Sequence, residues 1–102
     1  MQAVLRVNTF DRDKLAQSGY QLEEFDRIHQ AQGGYLGGVT VDLGEGRHFV
    51  LNVWESEEHR RTGLAALAPE VERLVNPLLA KPSELIGVGP IVRSDFVPKR
   101  GE

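Results

Sequence analysis

The sequence contains no cysteine, a single tryptophan and a single methionine, and no apolar run near the ~18 residues that a membrane-spanning helix requires. Without cysteine there is no disulfide framework, no thiolate metal site and no cysteine nucleophile. The N-terminal stretch reaches Arg6 after four apolar or small residues, too few for the apolar core of a signal peptide. Basic residues are not in excess. Twelve Lys and Arg stand against fifteen Asp and Glu, a formal charge of −3, where a nucleic-acid binder would show a basic stripe. No phosphate-cradling loop, G-x-S-x-G elbow or dinucleotide fingerprint is present, and the glycines at 33, 34, 37 and 38 suit a helix stop and a strand. The three histidines have no carboxylate at ligand spacing, so no metal site is expected. These exclusions leave a soluble, cytoplasmic protein with no nucleic-acid or membrane partner. Its 102 residues suit one domain, 1–102. A chain this short buries only about two-thirds of its unfolded surface, which favours an interface shared with a second copy.

The period of the apolar residues assigns the elements. Ala3 to Phe10 alternates as a strand, with Ala3, Leu5 and Val7 on one face and Val4, Arg6, Asn8 and Phe10 on the other. Asp11 stands at a helix N-cap. Leu15, Leu22, Phe25, Ile28 and Ala31 then predict a helix over about 12–32, with irregular first turns around Gly19. Gly33-Gly34 ends it. Tyr35 to Leu43 is a second strand, Gly44-Glu45-Gly46 a hairpin loop, and Arg47 to Trp54 a third strand. On that third strand Phe49, Leu51 and Val53 face away from His48, Val50, Asn52 and Trp54. Ser56 is an N-cap for a helix running to about Leu67, with a break at Ala68-Pro69. A new helix follows, carrying the stripe Val71, Leu74, Val75, Leu78 and Leu79 and stopped or kinked by Pro77. Leu85 to Val97 is the final strand, interrupted by Gly87, Gly89 and Pro90.

Strand, helix, strand, strand, broken helix, strand is the order of an α+β, ferredoxin-like split βαβ fold, an antiparallel sheet with helices on one face. The other face carries Ala3, Leu5, Val7, Phe49, Leu51 and Val53, and the chain has no element left to cover it. A homodimer packed through Leu5, Val7, Phe49, Leu51 and Val53 is the simplest cover.

Val7-Asn8-Thr9-Phe10, Gly34-Tyr35-Leu36-Gly37 and Trp54-Glu55-Ser56 together resemble the antibiotic biosynthesis monooxygenase-like family. The resemblance spans about residues 3–97. It implies the dimeric α+β barrel, in which two ferredoxin-like sheets pack face to face. It also implies a pocket between sheet and helices that takes a flat polyphenol, a hydroquinone or a haem. Quinol-oxidising members use no flavin or metal, because the bound phenolate itself passes an electron to O2. Asn8 and Trp54 match family positions. The Asn carried four residues before the Trp is Val50 here, and Asn52, on the same strand face, is the candidate to serve instead. Haem-degrading members carry a ligating His about ten residues after the Trp; here that position is Leu64, which argues against haem degradation by that route.

The expected function is therefore a cofactor-independent monooxygenase acting on an aromatic polyphenol or hydroquinone. A non-catalytic, small-ligand-binding or stress-related dimer of the same fold is the alternative. Asn8, Asn52 and Trp54 are the candidate catalytic residues, and Asn8 and Trp54 are expected to line one pocket. Trp54 either stacks on the substrate or fills a gap between sheet and helix. Phe10, His48, His59 and Arg73 are candidate substrate-binding residues. His48 and His59 are each a general base or a solvated surface group, and Arg73 either reaches a substrate oxygen or belongs to a solvated helix face. His29 is read as a charged partner of its helix dipole.

Overall fold

The computed structural model describes residues 1–95. Its order follows the sequence pattern: β1 (Gln2–Thr9), α1 (Arg12–Gln17), α2 (Gln21–Gln30), β2 (Tyr35–Gly44), β3 (Arg47–Trp54), α3 (Glu57–Glu70) and β4 (Glu84–Pro90). The four strands form one antiparallel sheet in the order β2-β3-β1-β4. β4 ends at Pro90 rather than running on, although the Ile91 N–H still bonds to Met1 O at 2.9 Å. Phe96 and Val97, assigned to that strand from the sequence, lie outside the described residues.

The helix expected over 12–32 is two helices. Asp11 caps the first, its Oδ1 accepting from the Asp13 and Lys14 N–H groups at 3.0 Å. Ser18 then leaves helical geometry, and its Oγ donates to the Leu15 carbonyl at 2.6 Å, competing with the backbone donor that would continue the helix. Gly19 N–H turns to Gln21 Oε1, and α2 restarts. The break expected at Ala68-Pro69 also moves. Pro69 is inside α3, and the departure comes one residue after that helix ends. Val71–Val75 widens into a π turn, closed by Asn76 N–H on Val71 O, and a single 3-10 turn over Asn76–Leu78 takes up Pro77. Pro69 has no N–H for the Ala65 carbonyl, and the following turns absorb the displaced chain. Leu79, assigned to the helical stripe, is extended and bridges to Phe10. No helix among the described residues is long and apolar enough to cross a membrane.

The helices cover one face of the sheet. Val4, Trp54 and Leu67 form the core there, with Phe25, Ile28, Tyr35 and Leu64 packed on it. Gly63 lets α3 sit directly on the indole, since a Cβ at that position would overlap Trp54 Cη2 and Cζ3. The opposite face is less covered: Leu5, Val7, Phe49 and Leu51 are only half-buried, and Val41, paired with Phe49, is exposed.

Candidate active site

Strand register fixes what looks up at the helices. Across the sheet, Gly38, Asn52, Val4 and Val88 form one row, Thr40, Val50, Arg6 and Leu85 the next, and Asp42, His48 and Asn8 the third. Two hollows open between these rows and the helical layer, one of about 680 Å³ and one of about 480 Å³. Asn8, Asn52, Val50, Phe25, His29 and Val75 line both, so the two carboxamides stand at the waist of a single cleft. The larger hollow extends over Arg6 and Ser83 beneath Leu64 and Leu67. The smaller one extends over Phe10, His48 and Tyr35. This is the size range and the mostly apolar lining of a small-molecule site.

Each carboxamide is oriented by a hydroxyl. Ser83 Oγ donates to Asn8 Oδ1 at 2.5 Å and in turn accepts from Arg6 Nη1 at 3.3 Å. Tyr35 Oη donates to Asn52 Oδ1 at 2.9 Å. Burial, with the negative charge of Asp26 adding to it, raises the Tyr35 pKa, so the phenol stays a protonated donor. With both amide oxygens engaged, the NH2 groups are the donors each carboxamide has left for a ligand. Arg6 adds a permanent cation beside them. The arrangement is suited to holding an oxyanion against an otherwise apolar surface.

His29 closes the waist from above. It is buried, its Nε2 has no hydrogen-bond partner among the described residues, and its ring lies 4.4 Å from Tyr35 and 5.6 Å from Trp54. Burial lowers its pKa to about 4. It is therefore neutral at pH 7, which corrects the reading of His29 as a charged helix-dipole partner.

The structure brings Asn8, Asn52, Phe10 and His48 together, the last two with ring centroids 5.0 Å apart. Three other residues proposed from sequence lie elsewhere. Trp54 is on the cleft face of β3 as expected, yet it is fully buried and lines neither hollow. It fills the gap between sheet and α3, behind His29. His59 belongs to the start of α3: its N–H and Nδ1 both meet Ser56 Oγ, at 3.1 and 2.7 Å, and its ring packs on Gly34. Arg73 is on the surface, bonded to Glu70 at 2.5 Å and to Glu24 at 3.5 Å, where it ties the π turn to α2.

Arg6, Ser83, Tyr35 and His29 received no site role from the sequence. Arg6 shares the strand parity of Asn8, a usable signal. Ser83 is 75 residues from Asn8 and is placed by the approach to β4, for which the sequence carries no local sign.

No protein-family model and no curated protein matches the sequence. Solved structures do match its fold. SnoaB, a cofactor-independent oxygenase from Streptomyces nogalater, superposes with a TM-score of 0.71 at 14% identity over 93% of this chain and 96% of that one. A structure described as an antibiotic biosynthesis monooxygenase gives 0.71 at 14% identity, over 91% of this chain and all of the other. A mutant of MhuD with two manganese protoporphyrin IX molecules per active site gives 0.67 at 18% identity, over 92% and 97%. Such identities carry the fold alone. The chain has the fold of the antibiotic biosynthesis monooxygenase-like proteins.

Proposed function

We propose that the protein is a cofactor-independent monooxygenase that oxidises a phenolic aromatic compound, a polyphenol or hydroquinone, with O2. The observation that carries this reading is the pair Asn8 and Asn52, which line one cleft with their oxygens held by Ser83 and Tyr35, leaving the amide N–H groups as the donors for a ligand. A phenol bound there loses its proton more readily, because the oxyanion gains amide donors and the Arg6 cation beside them. The electron-rich phenolate then reduces O2 directly. One oxygen atom enters the ring as a quinone carbonyl and the other leaves as water, so the substrate supplies every electron. Phe10 and His48 line one end of the cleft, and in this reading they wall the ring and His48 takes the phenolic proton. Likeness of fold to a protein described as a cofactor-independent oxygenase supports the reading.

Haem is a poorer fit. Leu64, which lines the larger hollow, has no ligating atom, and both His59 nitrogens that could serve are constrained by a ring packed on Gly34 with Nδ1 on Ser56. The reading includes a second copy of this chain as partner, seated on the sheet face of Leu5, Val7, Phe49 and Leu51, and it assigns the chemistry to the cytoplasm.

The test follows product formation from a panel of naphthols and hydroquinones in air and under argon, with chelator present. Turnover should require O2 alone and fall about 10²-fold in Asn8→Ala, as for loss of one oxyanion donor. Turnover that survives under argon, or that Asn8→Ala leaves unchanged, removes the mechanism.

A further inference from the structure

We propose that Arg6 is a carboxylate-binding residue, which makes the cleft selective for hydroxylated aromatic acids over their neutral counterparts. The proposal rests on the reading above only for what binds at Asn8. Among the described residues Arg27, Arg60, Arg61 and Arg73 pair with glutamates, whereas Arg6, like Arg12, Arg47 and Arg93, has no carboxylate within 4.0 Å, and of these four Arg6 alone lines the cleft. Nor is Arg6 on a helix surface. It projects from the inner face of a central strand, flanked in register by Val50 and Leu85, into the hollow that Leu64 and Leu67 roof. An unpaired cation beside apolar walls is unfavourable unless something anionic meets it.

Its hydrogen bonds leave room for such a group. Of five guanidinium N–H donors, one reaches Ser83 Oγ at 3.3 Å, and the remainder match the two oxygens of a carboxylate. Lys81, on the rim of the same hollow, adds a second positive charge; Glu72, exposed on the helical wall, is the opposing one. Spacing sets the ligand. Positions 6 and 8 are two residues apart on one strand face, about 6.6 Å. Ser83 Oγ meets both side-chain ends, so the guanidinium and the carboxamide converge, which suits an aromatic acid with its hydroxyl, at Asn8, next to its carboxylate, at Arg6. The shared Ser83 couples the two ends, since it accepts from Arg6 and donates to Asn8.

The experiment is calorimetric titration under argon with 3-hydroxy-2-naphthoate and the neutral 3-hydroxy-2-naphthamide. The protein as it exists should bind the naphthoate at least about tenfold more tightly. Arg6→Gln should abolish that preference while its naphthamide affinity stays within about twofold, which also shows that the variant is folded. Arg6→Lys, keeping the charge without the fork, should retain part of it. If Arg6→Gln binds neither ligand, Arg6→Lys decides, expected to narrow the preference with naphthamide binding intact. Equal affinities in the unaltered protein, no binding of either ligand, or a preference undiminished in every variant overturns the proposal. Selective binding without O2-dependent turnover would instead remove the oxygenase reading and leave the carboxylate site standing. Turnover without selectivity would do the reverse.

Discussion

Tyr35 and Asn52 meet in a 2.9 Å hydrogen bond that is possible only because residue 38, directly across the strand pair, has no side chain. A Cβ on Gly38 would overlap Asn52 Oδ1 and come within 2.7 Å of Tyr35 Oη and 2.8 Å of Leu51 O. Gly38→Ala should therefore part the two side chains and destabilise the protein by about 1–3 kcal/mol, the usual range for overpacking. Tyr35→Phe is milder. It removes the donor that fixes the amide, so stability should fall by about 1 kcal/mol while turnover falls roughly tenfold. Denaturant unfolding read beside turnover checks both. A Gly38→Ala protein as stable and active as the parent would mean that the pair is not held as described.

Trp54 gives a prediction of the opposite kind, stability without chemistry. Its indole is fully buried between Gly63 and the ring of His29 and lines neither hollow. Trp54→Phe should lower Tm, because it leaves a cavity in the core, yet keep turnover within a few fold. Gly63→Ala should also destabilise, by about 1–3 kcal/mol, although alanine is the better helix former by about 1 kcal/mol. A collapse of turnover at unchanged stability in Trp54→Phe would restore the tryptophan to the substrate.

His29 makes stability depend on pH. Its folded pKa of about 4 lies below the 6.5 of a free imidazole, so the unfolded chain binds the extra proton first. Stability is then complete above pH 6.5 and is lost as pH falls towards 4. The whole loss is about 3 kcal/mol at most, from a shift of that size. His29→Phe keeps an aromatic ring against Trp54 and Tyr35 but cannot be protonated. It should match the parent at pH 8 and exceed it at pH 5 in urea unfolding. Parallel pH profiles for the two proteins would contradict the buried, neutral imidazole.

The sheet was legible because its signal is local. Alternation in Ala3–Phe10 and Arg47–Trp54 sorts every side chain to a face, and the register of β1 on β3 keeps that sorting. The same parity puts Asn8 and Asn52 on the helix-facing side of the sheet, where both line the cleft. The same argument correctly put Trp54 on the cleft face, but parity says nothing of depth, and α3 on Gly63 covers the ring. For His59 and Arg73 the sequence leaves a substrate role and a surface role open. Local partners, Ser56 for one and Glu70 with Glu24 for the other, hold both away from the cleft. The π turn after Pro69 was invisible because proline predicts a disturbance and not how later turns absorb it.

The last prediction concerns the open sheet face. Leu5, Val7, Phe49 and Leu51 are half-buried and Val41 is 43% exposed, on a face that the helices of the chain do not cover. Contiguous apolar surface of this kind is uncommon on a lasting monomer. A second copy presenting the same face is self-complementary by two-fold symmetry, and a lasting interface should remove more than about 2,000 Å² in total. Light scattering at micromolar concentration should accordingly report twice the chain mass of 11.4 kDa. Leu51→Glu puts a charge in the middle of the face and should give a monomer, because desolvating an unpaired carboxylate there outweighs the apolar gain. The same charge added at Gln17, exposed on α1, should leave the dimer intact. A parent protein that scatters as 11.4 kDa at this concentration would show that the face stays open.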